Sequence, residues 1–94
     1  MQFLVIGHDG TDSEALQRRL DNREAHIASA TKLKEQGLLL NAGAILDDNE
    51  KMIGSAVLFD VESREQLDEL IAQDPYTQNG VWVSVDVKPV RLAF

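Results

Sequence analysis

Residues 38–61 read LLLNAGAILDDNEKMIGSAVLFDV, and this stretch decides the fold. Two apolar runs, LLLNAGAIL at 38–46 and SAVLFDV at 55–61, are rich in residues that favour strands. The polar segment DDNEK between them is typical of a hairpin loop. The sequence therefore predicts an antiparallel hairpin in the middle of the chain, with Gly43 marking a bulge or a close backbone approach.

A long helix is predicted before this hairpin. Thr11 and Glu14 have the spacing of a capping box, so we expect a helix over about 12–36 that ends at Gly37 as a left-handed cap. Four apolar residues recur at helical spacing and predict its buried face: Leu16, Leu20, Ile27 and Ala30.

A shorter helix is predicted after the hairpin, and a strand at each end of the chain. Ser63 and Gln66 form a second capping box, and Pro75 ends the helix that they open. QFLVIGH at 2–8 indicates a buried first strand. VWVSVDV at 81–87 alternates, so one of its faces is buried. Lys88-Pro89 is expected to interrupt that strand, and VRLAF to add a terminal edge strand.

The resulting order is βαββαβ plus a short extra strand. It predicts an α+β, ferredoxin-like fold with an antiparallel sheet and two helices on one face. We expect residues 1–94 to form a single domain. The other sheet face would be uncovered, which favours a homodimer with Trp82 near the interface and VRLAF helping to pair the subunits.

Composition excludes several classes of partner and cofactor. The net charge of −7 argues against binding to nucleic acid and to anionic membranes. No apolar run approaches the roughly 20 residues that span a bilayer, and MQFLVIGHDG lacks the features of a secretory signal. The absence of cysteine excludes disulfides and thiolate sites and fits the cytoplasm. The acidic residues in DDNEK lack calcium-loop spacing, and two histidines with scattered acids give metal binding only weak support. We expect no metal and no cofactor.

Arg23, His26 and Asp74 are the first candidates for chemistry. Arg23 projects into the apolar stripe of the long helix, where a charge needs an anionic partner. His26 lies on the flank of that stripe, and Pro75 fixes the position of Asp74. A histidine beside a carboxylate suits general acid–base catalysis. The alternatives are that Arg23 extends to solvent or pairs with Asp74, and that His26 is only structural.

Three further residues are weighed in the same way. Tyr76 can donate a proton or a hydrogen bond to a substrate, or simply pack under its loop. Ser55 follows Gly54, where a hydroxyl and exposed amides can hold a carboxylate, and the chain lacks the G-x-S-x-G elbow of serine hydrolases. His8 is a weaker candidate, because turn chemistry alone explains the Asp-Gly that follows it.

Taken together, these motifs resemble the YCII-related family of small ferredoxin-like proteins. The matching features keep their order over almost the whole chain: the short first strand, Arg-x-x-His at 23–26, G-L-L-x-x-A-G at 37–43, Gly54-Ser55, Asp74-Pro75-Tyr76 and Val87-Lys88-Pro89. Glu24 stands where many relatives have a proline, which favours an unbroken helix here.

The resemblance implies a dimeric α+β barrel and a pocket for a small anionic organic ligand. It implies that His26 and Asp74 are a catalytic pair and that Arg23, Ser55 and Tyr76 line the same pocket. Three functions remain open. The first is a cofactor-independent lyase or isomerase acting on a cyclic or chlorinated catabolic intermediate. The second is a non-catalytic binding or accessory domain, and the third is a dimerisation module with an Arg23–Asp74 salt bridge.

Overall fold

The chain forms one antiparallel sheet, and its computed structural model describes all of residues 1–94. The strand order is β2-β3-β1-β4, with β1 at Gln2–Asp9, β2 at Leu39–Leu46, β3 at Met52–Asp60 and β4 at Trp82–Val90. The helices are α1 at Ala15–Glu35, α2 at Arg64–Gln73 and the one-turn α3 at Pro75–Gln78. The predicted ferredoxin-like βαββαβ order, with α1 and α2 on one face, is confirmed.

The core lies between the helices and one face of the two central strands. Along β1, Phe3 and Val5 point toward the helices, and they pair with Phe59 and Val57 of β3. Leu67 of α2 is fully buried against them. Burying a side chain of this size stabilises the fold by about 1.5–3 kcal/mol, so this core holds the sheet and the helices together.

The ends of α1 are only partly as predicted. The helix begins at Ala15, and Thr11 and Glu14 form no capping box. Asp12 satisfies the first turn instead, because its carboxylate accepts the Glu14 N–H and its carbonyl oxygen accepts the Ala15 N–H. At the other end Gly37 has a φ of 77°, as a left-handed cap requires. No helix in the chain combines the length and the apolar character that a membrane crossing needs.

The buried face of α1 differs from the prediction. Leu20 and Ile27 are 46% and 42% exposed, and the buried residues of the helix are Ala15 and Arg19. Arg19 is held inside by the carboxylate of Asp9 at the end of β1. The helix is therefore rotated relative to its most apolar stripe, because an ion pair takes part of the interface.

A β-bulge at the start of β4 places Trp82 on the helix-covered face. His8 pairs with Ser84 but Asp9 pairs with Trp82, so Val83 is an extra residue. One extra residue reverses the face of every side chain before it. Trp82 is consequently 6% exposed and inside the molecule, and the prediction that it lies on the uncovered face is wrong.

The ends of the strands also differ in detail. β4 continues through Pro89 to Val90, and residues 91–94 form no strand. Proline is tolerated there because β4 is an edge strand. In β2 the register shifts at Leu40 and again near Leu46, not at Gly43.

Candidate functional site

Asp74 and Pro75 join two helices rather than simply ending one. α2 stops at Gln73, Pro75 occupies the first position of α3, and Asp74 caps that turn. The Asp74 carboxylate accepts the Tyr76 N–H at 2.9 Å. Proline suits the first helical position because it has no N–H to satisfy there. The junction therefore fixes both the backbone and the carboxylate of Asp74.

His26 of α1 meets this carboxylate. Its Nδ1 lies 2.7 Å from Asp74 Oδ1, and each side chain is 12% exposed. An ionised carboxylate only accepts hydrogen bonds, so the Nδ1 atom carries the proton and Nε2 is left to exchange one with a ligand. The imidazole stacks on the Tyr76 ring with centroids 3.8 Å apart and planes inclined by 5°. The Trp82 ring stands edge-on to it at 5.8 Å, so the imidazole is held on three sides.

A cavity of about 370 Å³ opens between α1 and the β2–β3 half of the sheet. His26, Arg23, Ser55 and Tyr76 all line it, and Asp74 reaches it through His26. The five residues predicted from the sequence are thus brought to one place. Their chemical roles stay predictions.

The charges lining the cavity are all positive. Arg19, Arg23 and Lys34 line it, and no aspartate or glutamate does, in a chain whose net charge is −7. Arg23 is exposed rather than inward-facing as expected, and it makes no ion pair. Asp74 pairs with His26 instead, so the Arg23–Asp74 salt bridge of the third hypothesis is not formed. The cavity is therefore electrostatically suited to an anion.

A buried network behind His26 was missed from the sequence. Arg19 Nη1 donates to both carboxylate oxygens of Asp9, at 3.0 and 3.1 Å, and its Nη2 donates to Ser55 Oγ at 3.0 Å. The indole Nε1 of Trp82 donates to the same Ser55 oxygen at 3.2 Å. The alternation of β1 places Asp9 on the face of Phe3 and Val5. This alternation, rather than turn chemistry, is the sequence signal that indicates the burial of Asp9.

Tyr76 supplies a neutral phenol to the cavity wall. The residue is 1% exposed, and burial raises the pKa of its phenol, although the nearby Arg19 and Arg23 oppose the rise. The guanidinium carbon of Arg19 lies 4.9 Å from the centre of the ring. Tyr76 therefore stays protonated near neutral pH and can donate a hydrogen bond.

His8 lies outside this site. It points to the opposite face of the sheet, where its Nε2 lies 2.8 Å from Asp86 Oδ2, and both side chains are exposed. No cluster of three or more histidine, aspartate or glutamate side chains is placed to hold a metal ion. The cavity and the His8–Asp86 pair are thus separate features on opposite faces.

Solved structures share this architecture. The 5-chloro-2-hydroxyhydroquinone dehydrochlorinase TftG from Burkholderia phenoliruptrix AC1100, in complex with 2,5-dihydroxybenzoquinone, is 29% identical, with a TM-score of 0.84 over 97% of this chain and 94% of that one. A dimeric ferredoxin-like protein of unknown function from Jannaschia sp. CCS1 is 12% identical, with a TM-score of 0.54 over 97% and 98%. The second likeness concerns the fold alone.

Sequence relatives extend over the full length. Protein YciI of Escherichia coli O6:H1 is 35% identical, and an uncharacterized protein of Haemophilus influenzae is 34% identical, each over 100% of both chains. The YCII-related domain matches residues 1–91. The chain therefore belongs to the YCII-related family.

Proposed function

We propose that the chain is a cofactor-independent lyase- or isomerase-type enzyme acting on a small anionic cyclic compound. The observation that carries the proposal is the 2.7 Å contact between His26 Nδ1 and Asp74 Oδ1 in the wall of a cation-lined cavity. Asp74 orients the imidazole and stabilises its cation, and His26 Nε2 transfers the proton. Arg23 anchors an anionic group of the substrate.

An elimination reaction fits these groups. His26 Nε2 removes a proton from the substrate, the electrons of the broken bond form a double bond, and a leaving group such as chloride departs with its bonding pair. The Tyr76 phenol donates a hydrogen bond to a substrate oxygen during this step. The name of the dehydrochlorinase TftG and the quinone in its structure support an oxygenated or chlorinated ring as substrate.

A non-catalytic binding domain is the second candidate. The observation that favours it is the capping of α3 by Asp74, whose carboxylate accepts the Tyr76 N–H. That structural task gives Asp74 a reason to be present without any turnover. The same cavity would then bind an anion and release it unchanged.

The test combines turnover and binding with 5-chloro-2-hydroxyhydroquinone as substrate and 2,5-dihydroxybenzoquinone as ligand. We expect the wild type to release chloride, and His26→Gln to lower kcat/KM by about 10²–10⁴ while it still binds the quinone. His8→Gln is the matched control, because His8 lies on the other sheet face, and it should retain full activity. Quinone binding without chloride release would favour the binding domain. An active His26→Gln enzyme would contradict the mechanism.

We propose in addition that the chain is a homodimer that uses the open face of the sheet. On this face Leu4, Ile6 and Leu58 are only half-buried in the single chain. The Jannaschia protein of the same fold is described as dimeric. A second copy placed on this face would leave the cavity, which lies on the helix-covered side, free for its ligand.

A further inference from the structure

Ser55 receives two hydrogen bonds from groups that can only donate. Arg19 Nη2 lies 3.0 Å and Trp82 Nε1 lies 3.2 Å from Ser55 Oγ. A guanidinium and an indole N–H have no acceptor site, so each of them donates in its bond to Ser55. The serine oxygen is therefore the acceptor in both.

After these two bonds, the Ser55 hydroxyl can make one further hydrogen bond, in which it is the donor. A hydroxyl has two lone pairs and one proton, and the two incoming bonds occupy both lone pairs. The chain supplies no acceptor for the Ser55 proton, since these are the only hydrogen bonds of its side chain. The one buried carboxylate of the chain, that of Asp9, is engaged by Arg19.

Ser55 lies in the wall of the cavity, where a ligand can accept this proton. Ser55 is 2% exposed, and it shares the helix-covered face of β3 with Val57. It is nevertheless one of the residues that line the cavity. A buried donor without an acceptor costs about 1–3 kcal/mol, so a ligand that accepts this proton relieves a penalty as well as gaining a bond.

The donor is also rigidly held. Asp9 fixes Arg19 through both carboxylate oxygens. Trp82 lies directly over Gly7, where an added Cβ would come within 2.4 Å of the indole ring. Because both donors to Ser55 are fixed, its oxygen cannot accept a hydrogen bond from a ligand without losing one of these buried bonds. The site is thus preorganised for one direction of hydrogen bonding.

We propose that Ser55 is a specificity residue that admits only a hydrogen-bond-accepting oxygen, a carbonyl or an oxyanion, at its end of the cavity. The bond donated by the Arg19 guanidinium polarises the hydroxyl toward donation, and the unpaired charge of Arg23 at the cavity favours an oxygen that carries negative charge. The substrate class is therefore a small ring with an oxo or oxyanion group beside the atom that reacts at His26. This inference rests on the proposed function and specifies its ligand.

The test is the carbonyl stretching band of bound 2,5-dihydroxybenzoquinone, measured by difference infrared spectroscopy. In the wild type the Ser55 hydrogen bond lowers the frequency of one carbonyl band. In Ser55→Ala that band returns toward its frequency in water-free solvent, and affinity falls about tenfold or more. Trp82→Phe alters the same network but keeps the Ser55 proton, so its band should stay lowered. Ser29→Ala on α1 serves as the serine control outside the cavity.

If Ser55→Ala does not fold, Ser55→Cys keeps the shape with a much weaker donor, and we expect an intermediate band position. An unchanged band in a folded Ser55 variant would overturn the inference, and so would a wild type that does not bind the quinone. The band reports binding and needs no turnover. A catalytic failure in the chloride-release assay is therefore distinguishable from a failure of the Ser55 assignment.

Discussion

Arg19 and Arg23 lie one turn apart on α1, and their surroundings assign them different tasks. Arg19 is 4% exposed and ion-paired with Asp9, whereas Arg23 is exposed and unpaired at the cavity. We expect Arg19→Met to destabilise the fold by about 3–5 kcal/mol, because it leaves the Asp9 carboxylate buried without a partner. Arg23→Met should change stability by no more than about 0.5 kcal/mol and weaken quinone binding. Urea unfolding and ligand titration measure the two effects.

Arg64→Met is the matched control for this pair. Arg64 is exposed on α2 and pairs only with Asp68 of the same helix, so its loss should affect neither stability nor binding. If Arg23→Met unfolded the protein while Arg19→Met did not, the assignment of the two arginines would be reversed.

The buried phenol of Tyr76 makes the free energy of unfolding depend on pH in the alkaline range. Burial raises its pKa in the folded chain, so above pH about 10 the unfolded chain loses this proton first. Fewer protons on the unfolded state mean that stability falls as pH rises from about 10 through the folded pKa. Tyr76 is the only tyrosine, so tyrosinate absorbance titrates it directly. Urea unfolding across this range should show a steeper loss for the wild type than for Tyr76→Phe. Equal slopes would contradict burial of the hydroxyl.

The sequence locates some site residues and hides others for physical reasons. Pro75 indicates a fixed backbone at its position, and this signal identifies Asp74 as a candidate. Helical spacing places His26 near Arg23 on the same helix. The alternation of β1 places Asp9 on the face of Phe3 and Val5, but Arg19 is hidden because a polar helical residue is normally predicted to face solvent. The burial of Arg19 depends on Asp9 of another element, which periodicity along α1 does not report.

At the scale of elements, Asp74 combines two tasks at the α2–α3 junction. Its carboxylate accepts the Tyr76 N–H and contacts His26 Nδ1. Asp74→Asn retains an oxygen for the cap, so we expect a stability loss of a few tenths of a kcal/mol at most. Asp74→Ala should lose about 1 kcal/mol, as removal of a helix cap does. Both variants should lower turnover at least about a hundredfold, because neither stabilises the imidazolium.

Urea unfolding and chloride release separate the two tasks of Asp74. Ser63→Ala, which removes the cap of α2, is the control: it should lose similar stability to Asp74→Ala and keep its turnover. Full activity in Asp74→Asn would show that the carboxylate contact serves only the fold.

Element order was predictable because hydrophobic periodicity and caps are local signals, and the Ser63 cap formed as expected. The face of Trp82 was not predictable, because the bulge at Val83 depends on pairing with β1. Alternation along 81–87 then predicts the wrong face for Trp82. The same bulge brings the indole to Ser55, so the error concerned a residue of the site itself.

At the scale of the whole molecule, the two faces of the sheet carry different features. The helix-covered face carries the core and the cavity. The open face carries Leu4, Ile6 and Leu58 together with the His8–Asp86 pair. A chain of 94 residues buries only about two-thirds of the surface that its unfolded form exposes, so covering the open face would add considerable stability.

The homodimer is tested by placing a charge on this open face. Leu58 lies on the central strand β3 and pairs with Leu4, so Leu58→Asp would bury a carboxylate between two sheets, at a cost of several kcal/mol. We expect sedimentation equilibrium at tens of micromolar to show a dimer for the wild type and a monomer for Leu58→Asp. Leu20→Asp is the control, because Leu20 is 46% exposed on α1, and it should remain dimeric. A monomeric wild type, or a dimeric Leu58→Asp, would exclude this face as the interface.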